Sequence, residues 1–195
     1  CGTGTIGLIA AANGAKNVIG IELNPQAVED AKENALLNNI NNASFICGDS
    51  SNVLKEMAKA KKLVDVVFLD PPRSGSDEKF LASVIKLSPK TIVYVSCNPV
   101  TLARDLRYLT SFGPYYMYGA QPVDMFPQTD SIETVVLLRD KRVDGHISID
   151  LDTEKLAIPV RGASYNAIKS YVSDKYGLNV SNLYIAQTKE KVGIH

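Results

Sequence analysis

Between residues 5 and 110 the apolar pattern of this chain alternates between stretches that repeat every three or four residues and short continuous runs rich in Val, Ile or Phe. A helical period followed by a short all-apolar run is the signature of helices alternating with strands buried on both faces, which calls for a parallel sheet covered by helices. The fold class is therefore α/β. Strands are predicted over 17–22, 43–47, 64–69 and 91–95. Asn24-Pro25 and Asn98-Pro99 each set a capping amide before a proline, which is tolerated at the first helical position because that nitrogen has no intrahelical acceptor. Ala27, Val28, Ala31 and Ala35 then recur at helical spacing, as do Phe80, Leu81, Val84 and Ile85. The runs 115–123 and 132–138 follow one another without a helix between them, which predicts an antiparallel pair at one sheet edge.

The 195 residues allow one principal core and an appendage. Residues 1–140 are read as that principal domain and 141–195 as a small helical C-terminal extension. In the extension, Ala167, Ile168, Tyr171 and Val172 mark an amphipathic helix that Gly177 would end, and Ser181 would cap another through Lys191. The 21 basic and 21 acidic side chains cancel, so the chain lacks the basic excess of a self-sufficient nucleic-acid binder. Three cysteines, Cys1, Cys47 and Cys97, form neither an even set nor a C-x-x-C pair. Neither a disulfide framework nor a thiolate metal site is expected within this chain, and a reducing cytoplasm is the expected location. No apolar run approaches the roughly 18 residues that span a bilayer, so no membrane association is expected.

Gly2, Gly4 and Gly7 form G-x-G-x-x-G at the opening of a helix, and Glu22 ends the next strand 18 residues after Gly4. Such glycines admit close backbone approach to a ligand, the helix start offers free N–H groups, and the acid accepts hydrogen bonds from a ribose. A tight strand-to-helix turn with a solvent-facing Glu is the bland alternative; the spacing of the acid favours a nucleoside cofactor. Asp49, past the next strand, is a candidate acceptor for an adenine amine, although taken singly it reads as a helix cap. The fingerprint ordinarily follows a strand, and the chain opens inside the loop, so the sheet is expected to lack its first strand.

The strand over 64–69 runs into Asp70-Pro71-Pro72-Arg73, and that over 91–95 into Ser96-Cys97-Asn98-Pro99. Strand ends of a parallel sheet share one rim, so Asp70 and Cys97 are expected to converge near Glu22 and the glycine loop. Two successive prolines make a stiff exit from the sheet that can hold Asp70 and Arg73 in place. A turn cap, a surface charge and a small buried hydrophobe are the structural alternatives for Asp70, Arg73 and Cys97.

The stretches CGTGTIGL, IGIELNPQAVEDAKENA, DPPRSG, YVSCNPVTLARDL and VDMFPQTDSIETVVLL occur in this order over about residues 1–138. In this the chain resembles the catalytic part of the RNA uracil-5-methyltransferases, which use S-adenosylmethionine on ribosomal or transfer RNA. The resemblance implies a Rossmann-like S-adenosylmethionine-dependent methyltransferase sheet and an RNA substrate, 23S ribosomal RNA first. It makes Cys97 the nucleophile and Glu133 the base. Gly2, Gly4, Thr5 and Glu22 would lie along the cofactor with Asp49 at the adenine, while Asp70 would sit between cofactor and target base with Arg73 nearby. One departure is Ser131, where many relatives carry histidine.

Elementary chemistry accounts for the pairing of a thiol with a carboxylate. Carbon 5 of uracil is a poor nucleophile, and adding a thiolate to carbon 6 turns it into an enolate carbon able to attack a methyl donor. A base must then remove the hydrogen on carbon 5 so that the thiolate can depart. An exocyclic-amine methyltransferase could use a D-P-P strand end but needs no thiol, and a dehydrogenase could use the glycine fingerprint but needs neither Cys97 nor Glu133. A non-catalytic cofactor- or RNA-binding module is the third alternative. With phosphate-binding charge not clustered in this chain, residues 1–195 by themselves are expected to bind RNA weakly and turn over poorly.

Overall fold

A computed structural model of the protein describes residues 1–125 and 132–143, together with 170, 173 and 174. Up to residue 143 these fall into two compact units, one within Cys1–Cys47 and one within Gly48–His146.

The first unit contains α1 (Thr5–Ala12), β1 (Val18–Glu22), α2 (Pro25–Leu37) and β2 (Ala43–Cys47). β1 and β2 pair in parallel, Gly20 opposite Phe45. α2 starts where the Asn-Pro signal sets it, with the Asn24 side chain accepting the N–H groups of Gln26 and Ala27. Val28, Ala31 and Ala35 form its buried stripe, and the small alanines let backbone come close to the strands. Gly20 belongs to this packing, since a Cβ there would lie 2.6 Å from Cδ1 of the Phe45 ring.

The second unit contains α3 (Ser50–Lys59), β3 (Val66–Leu69), α4 (Glu78–Leu87), β4 (Thr91–Ser96), α5 (Pro99–Phe112), β5 (Tyr115–Val123) and β6 (Glu133–Asp140). Its sheet has the order β3-β4-β6-β5. β3 and β4 are parallel, and β6 runs antiparallel to both β4 and β5. The expected edge pair is present, with one addition that the sequence did not reveal: β6, the later strand, takes the inner place against β4. The reason lies in burial, since Val136 and Leu138 of β6 are sealed against Ile92 and Tyr94 of β4, with Leu81 and Val84 of α4 and Leu102 and Leu109 of α5 completing the core.

The chain is thus α/β, as its pattern implies. Among the described residues β1 and β2 form one two-stranded sheet and β3, β4, β6 and β5 another. β3 begins two residues later than predicted and β6 is displaced toward its C-terminal end. α3 was not predicted, although Val53, Leu54, Met57 and Ala58 recur in it at helical spacing. The helices expected around 167–172 and 181–191 lie outside the described residues except that Ser170, Ser173 and Asp174 are helical, and Ser131 lies outside them also. Among the described residues no helix is long and apolar enough to cross a membrane.

Because Leu138 is fully buried opposite Ile92, Leu138→Ala leaves a cavity on the sheet's central seam. A loss of about 2–5 kcal/mol in unfolding free energy is expected in denaturant titrations.

Candidate active site

In the first unit the glycine turn leads into α1 with Gly2 at φ +53° and Gly4 at φ +89°, backbone conformations that side chains with a Cβ resist. Gly4 has a second constraint, for a Cβ there would lie 3.0 Å from the Phe45 ring and 3.1 Å from Cβ of Ala31. At Gly7 the same atom would meet Val18 at 3.1 Å, so this glycine serves close helix–strand packing. Above Gly2, by contrast, there is open space. α2, α3, α4 and α5 are each capped by an Asn or Asp side chain, whereas the cap of α1 is Gly4 and offers none. The first-turn amides of α1, starting at the half-buried Thr5, therefore lack a side-chain acceptor and suit a ligand's anionic group.

Glu22 ends β1 and fastens this turn. Its Oε2 accepts the Gly2 N–H at 2.8 Å and the Cys1 nitrogen at 2.9 Å, while Oε1 accepts the N–H groups of Leu23 (2.9 Å) and Asn24 (3.1 Å). Partial burial pushes its carboxyl pKa up, but the hydrogen bonds it accepts from the Asn24, Cys1 and Gly2 nitrogens outweigh that and hold it below the ordinary carboxylate value. Glu22 is thus a firmly ionised acceptor. Asp49, at the start of the second unit, caps α3 by accepting the Asn52 N–H at 2.9 Å through Oδ1. This is the local role that its sequence context allowed.

A second cluster lies on one rim of the four-stranded sheet. Leu69 pairs with Tyr94 in the parallel ladder, so Asp70 leaves β3 beside Val95, two residues before Cys97. Ser96 pairs with Thr134 in the antiparallel ladder, so Cys97 and Glu133 are the next positions outward from that pair. Glu133 is also paired with Val123 of β5. The predicted sharing of a rim by Asp70 and Cys97 is met within this unit, and the inner position of β6 adds Glu133. Burial raises the Glu133 carboxyl pKa above its usual value; the charge of Asp70 raises it further and that of Arg73 opposes this. These three charged groups therefore act on one another. Cys97 carries a free thiol that is half-buried.

The loop from Asp70 to Ser76 is held by α5. Asn98, which caps α5 through the N–H groups of Val100 and Thr101, also donates from Nδ2 to the Arg73 carbonyl at 3.1 Å, and Thr101 Oγ1 donates to the same carbonyl at 3.2 Å. Arg104 Nη2 donates to the carbonyls of Ser74 (3.0 Å) and Ser76 (2.9 Å). Asp105 accepts the Ser76 N–H at 2.7 Å and the Tyr94 hydroxyl at 2.5 Å. Arg104 and Asp105 were not singled out from the sequence. Their spacing from Asn98 and Thr101, three to four residues apart, places all four along one side of a helix and was the available signal. Among the described residues no cluster of His, Cys, Asp and Glu suits a metal ion.

A glycine turn fastened to an ionised acid at a strand end is how α/β proteins present a nucleoside-cofactor loop, and a thiol adjacent to a carboxylate with a raised pKa suits covalent acid–base chemistry. Fold and site together define an α/β enzyme. The family model described as tRNA (Uracil-5-)-methyltransferase matches residues 1–141, and the chain belongs to that family. It is 55% identical over 141 residues to an uncharacterized RNA methyltransferase of Clostridium tetani, covering 72% of this chain and 30% of that protein. It is 49% identical over 138 residues to an uncharacterized RNA methyltransferase of Bacillus cereus, covering 71% and 30%. The chain thus spans about 30% of the length of these relatives. Among solved structures it is similar to the Pyrococcus abyssi tRNA (uracil-54, C5)-methyltransferase in complex with S-adenosyl-L-homocysteine, with a TM-score of 0.58, 33% identity, and coverage of 70% of this chain and 32% of that one.

Two titrations check the electrostatics. Since the fold holds the Glu22 carboxyl below its ordinary pKa of 4.5, its stabilisation is complete above 4.5 and is lost as the pH falls below that value. Glu22→Gln is expected to flatten the acid dependence of unfolding free energy over that window. For Glu133, removing the Asp70 charge with Asp70→Asn should lower the carboxyl's titration midpoint and Arg73→Gln should raise it, read by NMR of the carboxyl carbon.

Proposed function

We propose that this chain is the catalytic part of an enzyme that methylates carbon 5 of a uridine in RNA, acting in the cytoplasm, with residues 1–140 as the methyltransferase domain and 141–195 as its extension. The observation that carries the proposal is the β4–β6 register, which sets Cys97 and Glu133 side by side on the rim with Asp70 and Arg73 in electrostatic reach. S-adenosylmethionine, when bound, supplies an electrophilic methyl group on a sulfonium. The open space above Gly2, the uncapped start of α1 and the ionised Glu22 fit such a cofactor. Gly2, Gly4, Thr5 and Glu22 would hold it, with Asp49 using the carboxylate oxygen left over from capping α3 for the adenine. The relative from Pyrococcus abyssi, described with S-adenosyl-L-homocysteine, supports that choice.

In this mechanism Cys97 Sγ, as thiolate, bonds to carbon 6 of the target uracil, and the electrons of the 5,6 double bond move onto carbon 5 and the adjacent carbonyl. Carbon 5, now nucleophilic, would bond to the methyl group as the methyl–sulfur bond breaks and its electron pair goes to sulfur, and carbon 5 becomes tetrahedral. Glu133 removes the hydrogen on carbon 5 as a proton; the electrons of that C–H bond restore the double bond, and the bond from carbon 6 to Sγ breaks, returning the thiolate. A raised pKa suits Glu133 to this work, because a base nearer neutrality accepts a proton more readily than an ordinary carboxylate. Asp70 and Arg73 orient the uracil edge. A uracil inside folded RNA must leave its stack to expose carbon 6.

The test mixes the full-length protein, S-adenosylmethionine and RNA containing 5-fluorouridine, whose fluorine cannot leave as a proton. A covalent adduct is expected to accumulate and Cys97→Ala to abolish it. Glu133→Gln is expected to stall adducts on ordinary uridine and to slow turnover by about 10²–10⁴-fold. An adduct formed by the Cys97→Ala protein overturns the assignment. Running 23S ribosomal RNA and transfer RNA as separate arms decides the substrate; the former is the expectation from resemblance, and the latter is the substrate of the Pyrococcus relative.

A further inference from the structure

The carboxylate of Asp105 is the deepest charged group of the second unit, with no exposed surface. Burying a carboxylate is expensive even when it is paired, and an apolar residue of similar size commonly serves stability as well or better. Its partners indicate what it does. It takes the Ser76 N–H and the Tyr94 hydroxyl on Oδ2 and the Arg104 Nε–H at 2.8 Å on Oδ1. Arg104, oriented by that bond, spans the carbonyls of Ser74 and Ser76. Between them, Gly75 sits at φ +75°, where a Cβ would lie 2.5 Å from Arg104 Nη2 and 2.8 Å from Asp105 Oδ2. The clamp thus closes over the backbone at the one residue without a side chain.

Exposed polar loops ordinarily open locally at little cost in free energy. Here Arg73 and Ser74 are exposed, yet the carbonyls of residues 73, 74 and 76 are all tied to the first two turns of α5. That helix begins two residues after Cys97. Loop and thiol are therefore referenced to one rigid element.

We propose that Arg104 and Asp105 are positioning residues that set Asp70 and Arg73 in register with Cys97 for attack on the uracil. This rests on the methyltransferase reading given above. It adds that the rate of the covalent step, rather than affinity for RNA or cofactor, depends on a clamp remote from the reacting atoms.

Three variants of the full-length protein test it. Arg104→Lys keeps a cation beside Asp105 but loses the planar fork that bridges two carbonyls; Gly75→Ala forces a Cβ into the clamp; Tyr94→Phe removes only the hydroxyl donated to Asp105. Each is examined for folding by thermal melting, then for single-turnover adduct formation on 5-fluorouridine RNA, RNA half-saturation and S-adenosylhomocysteine affinity. Arg104→Lys and Gly75→Ala are expected to slow adduct formation by about 10–100-fold, the scale of a 1 Å misplacement, with both affinities within about twofold of the parent. Their double variant is expected to be no slower than the slower single one, as for residues acting as a unit. Tyr94→Phe keeps the core volume and, should either other variant fail to fold, carries the test alone with an expected slowing of about 3–10-fold, the scale of one hydrogen bond. Unchanged rates in the folded variants overturn the clamp, as does a slowing matched by equally weakened RNA half-saturation. Cys97→Ala run in parallel separates the two levels: an adduct there refutes the methyltransferase assignment itself, whereas its loss together with unchanged clamp variants refutes the clamp alone.

Discussion

The antiparallel ladder between β4 and β6 is the constraint on which the second unit depends. β4 is buried along almost its whole length, and β6 supplies the neighbour that completes its hydrogen bonding on one side. The register follows burial, because a slip of one residue would put the half-buried Val135 and Leu137 where Val136 and Leu138 are sealed opposite Tyr94 and Ile92. The same slip would move Glu133 out of line with Cys97. Packing of hydrocarbon and placement of the Glu133 carboxylate beside the Cys97 thiol are thus one physical fact, which explains how a half-buried acid with a raised pKa can be held at the edge of an otherwise apolar seam.

Both clusters solve the same local problem in the same way. A loop that must present chemistry is stabilised by a carboxylate that accepts its backbone N–H groups. Glu22 does this for the glycine turn and Asp105 for the turn at Ser76. In each case a glycine at positive φ lies within the turn, Gly2 and Gly4 in one and Gly75 in the other. Positive φ folds the backbone tightly enough for several amides and carbonyls to converge on one side chain, and the absence of a Cβ leaves room for that side chain to reach them. The environments differ: Glu22 is only partly buried, whereas Asp105 is sealed and shares its charge with Arg104.

Much of the fold was legible in local pattern. The strands at Ala43–Cys47 and Tyr115–Val123 fall where the apolar runs place them, and both Asn-Pro pairs cap helices as their chemistry requires. The rim shared by Asp70 and Cys97 was also legible, because strand ends of a parallel pair must lie together. Glu133 was not: as a residue in a pattern it reads as a solvent-facing acid at a strand start, and only resemblance singled it out. The clamp was missed for a related reason. Arg104 and Asp105 show helical spacing with Asn98 and Thr101, but spacing cannot say whether that side of the helix faces water or a loop some thirty residues earlier in the chain.

The amino-acid sequence by itself determined what is local: an α/β alternation, helix starts built from Asn-Pro, glycines where φ turns positive, and a thiol at the end of a strand. Periodicity and capping act over a few residues, so they can be read without coordinates. Tertiary structure decided the insertion of β6 against β4, the meeting of Cys97 with Glu133, and the closure of α5 over the Asp70 loop. These arise from burial and hydrogen bonding between segments distant along the chain, where the free energy belongs to the pair of surfaces and is written in neither one alone.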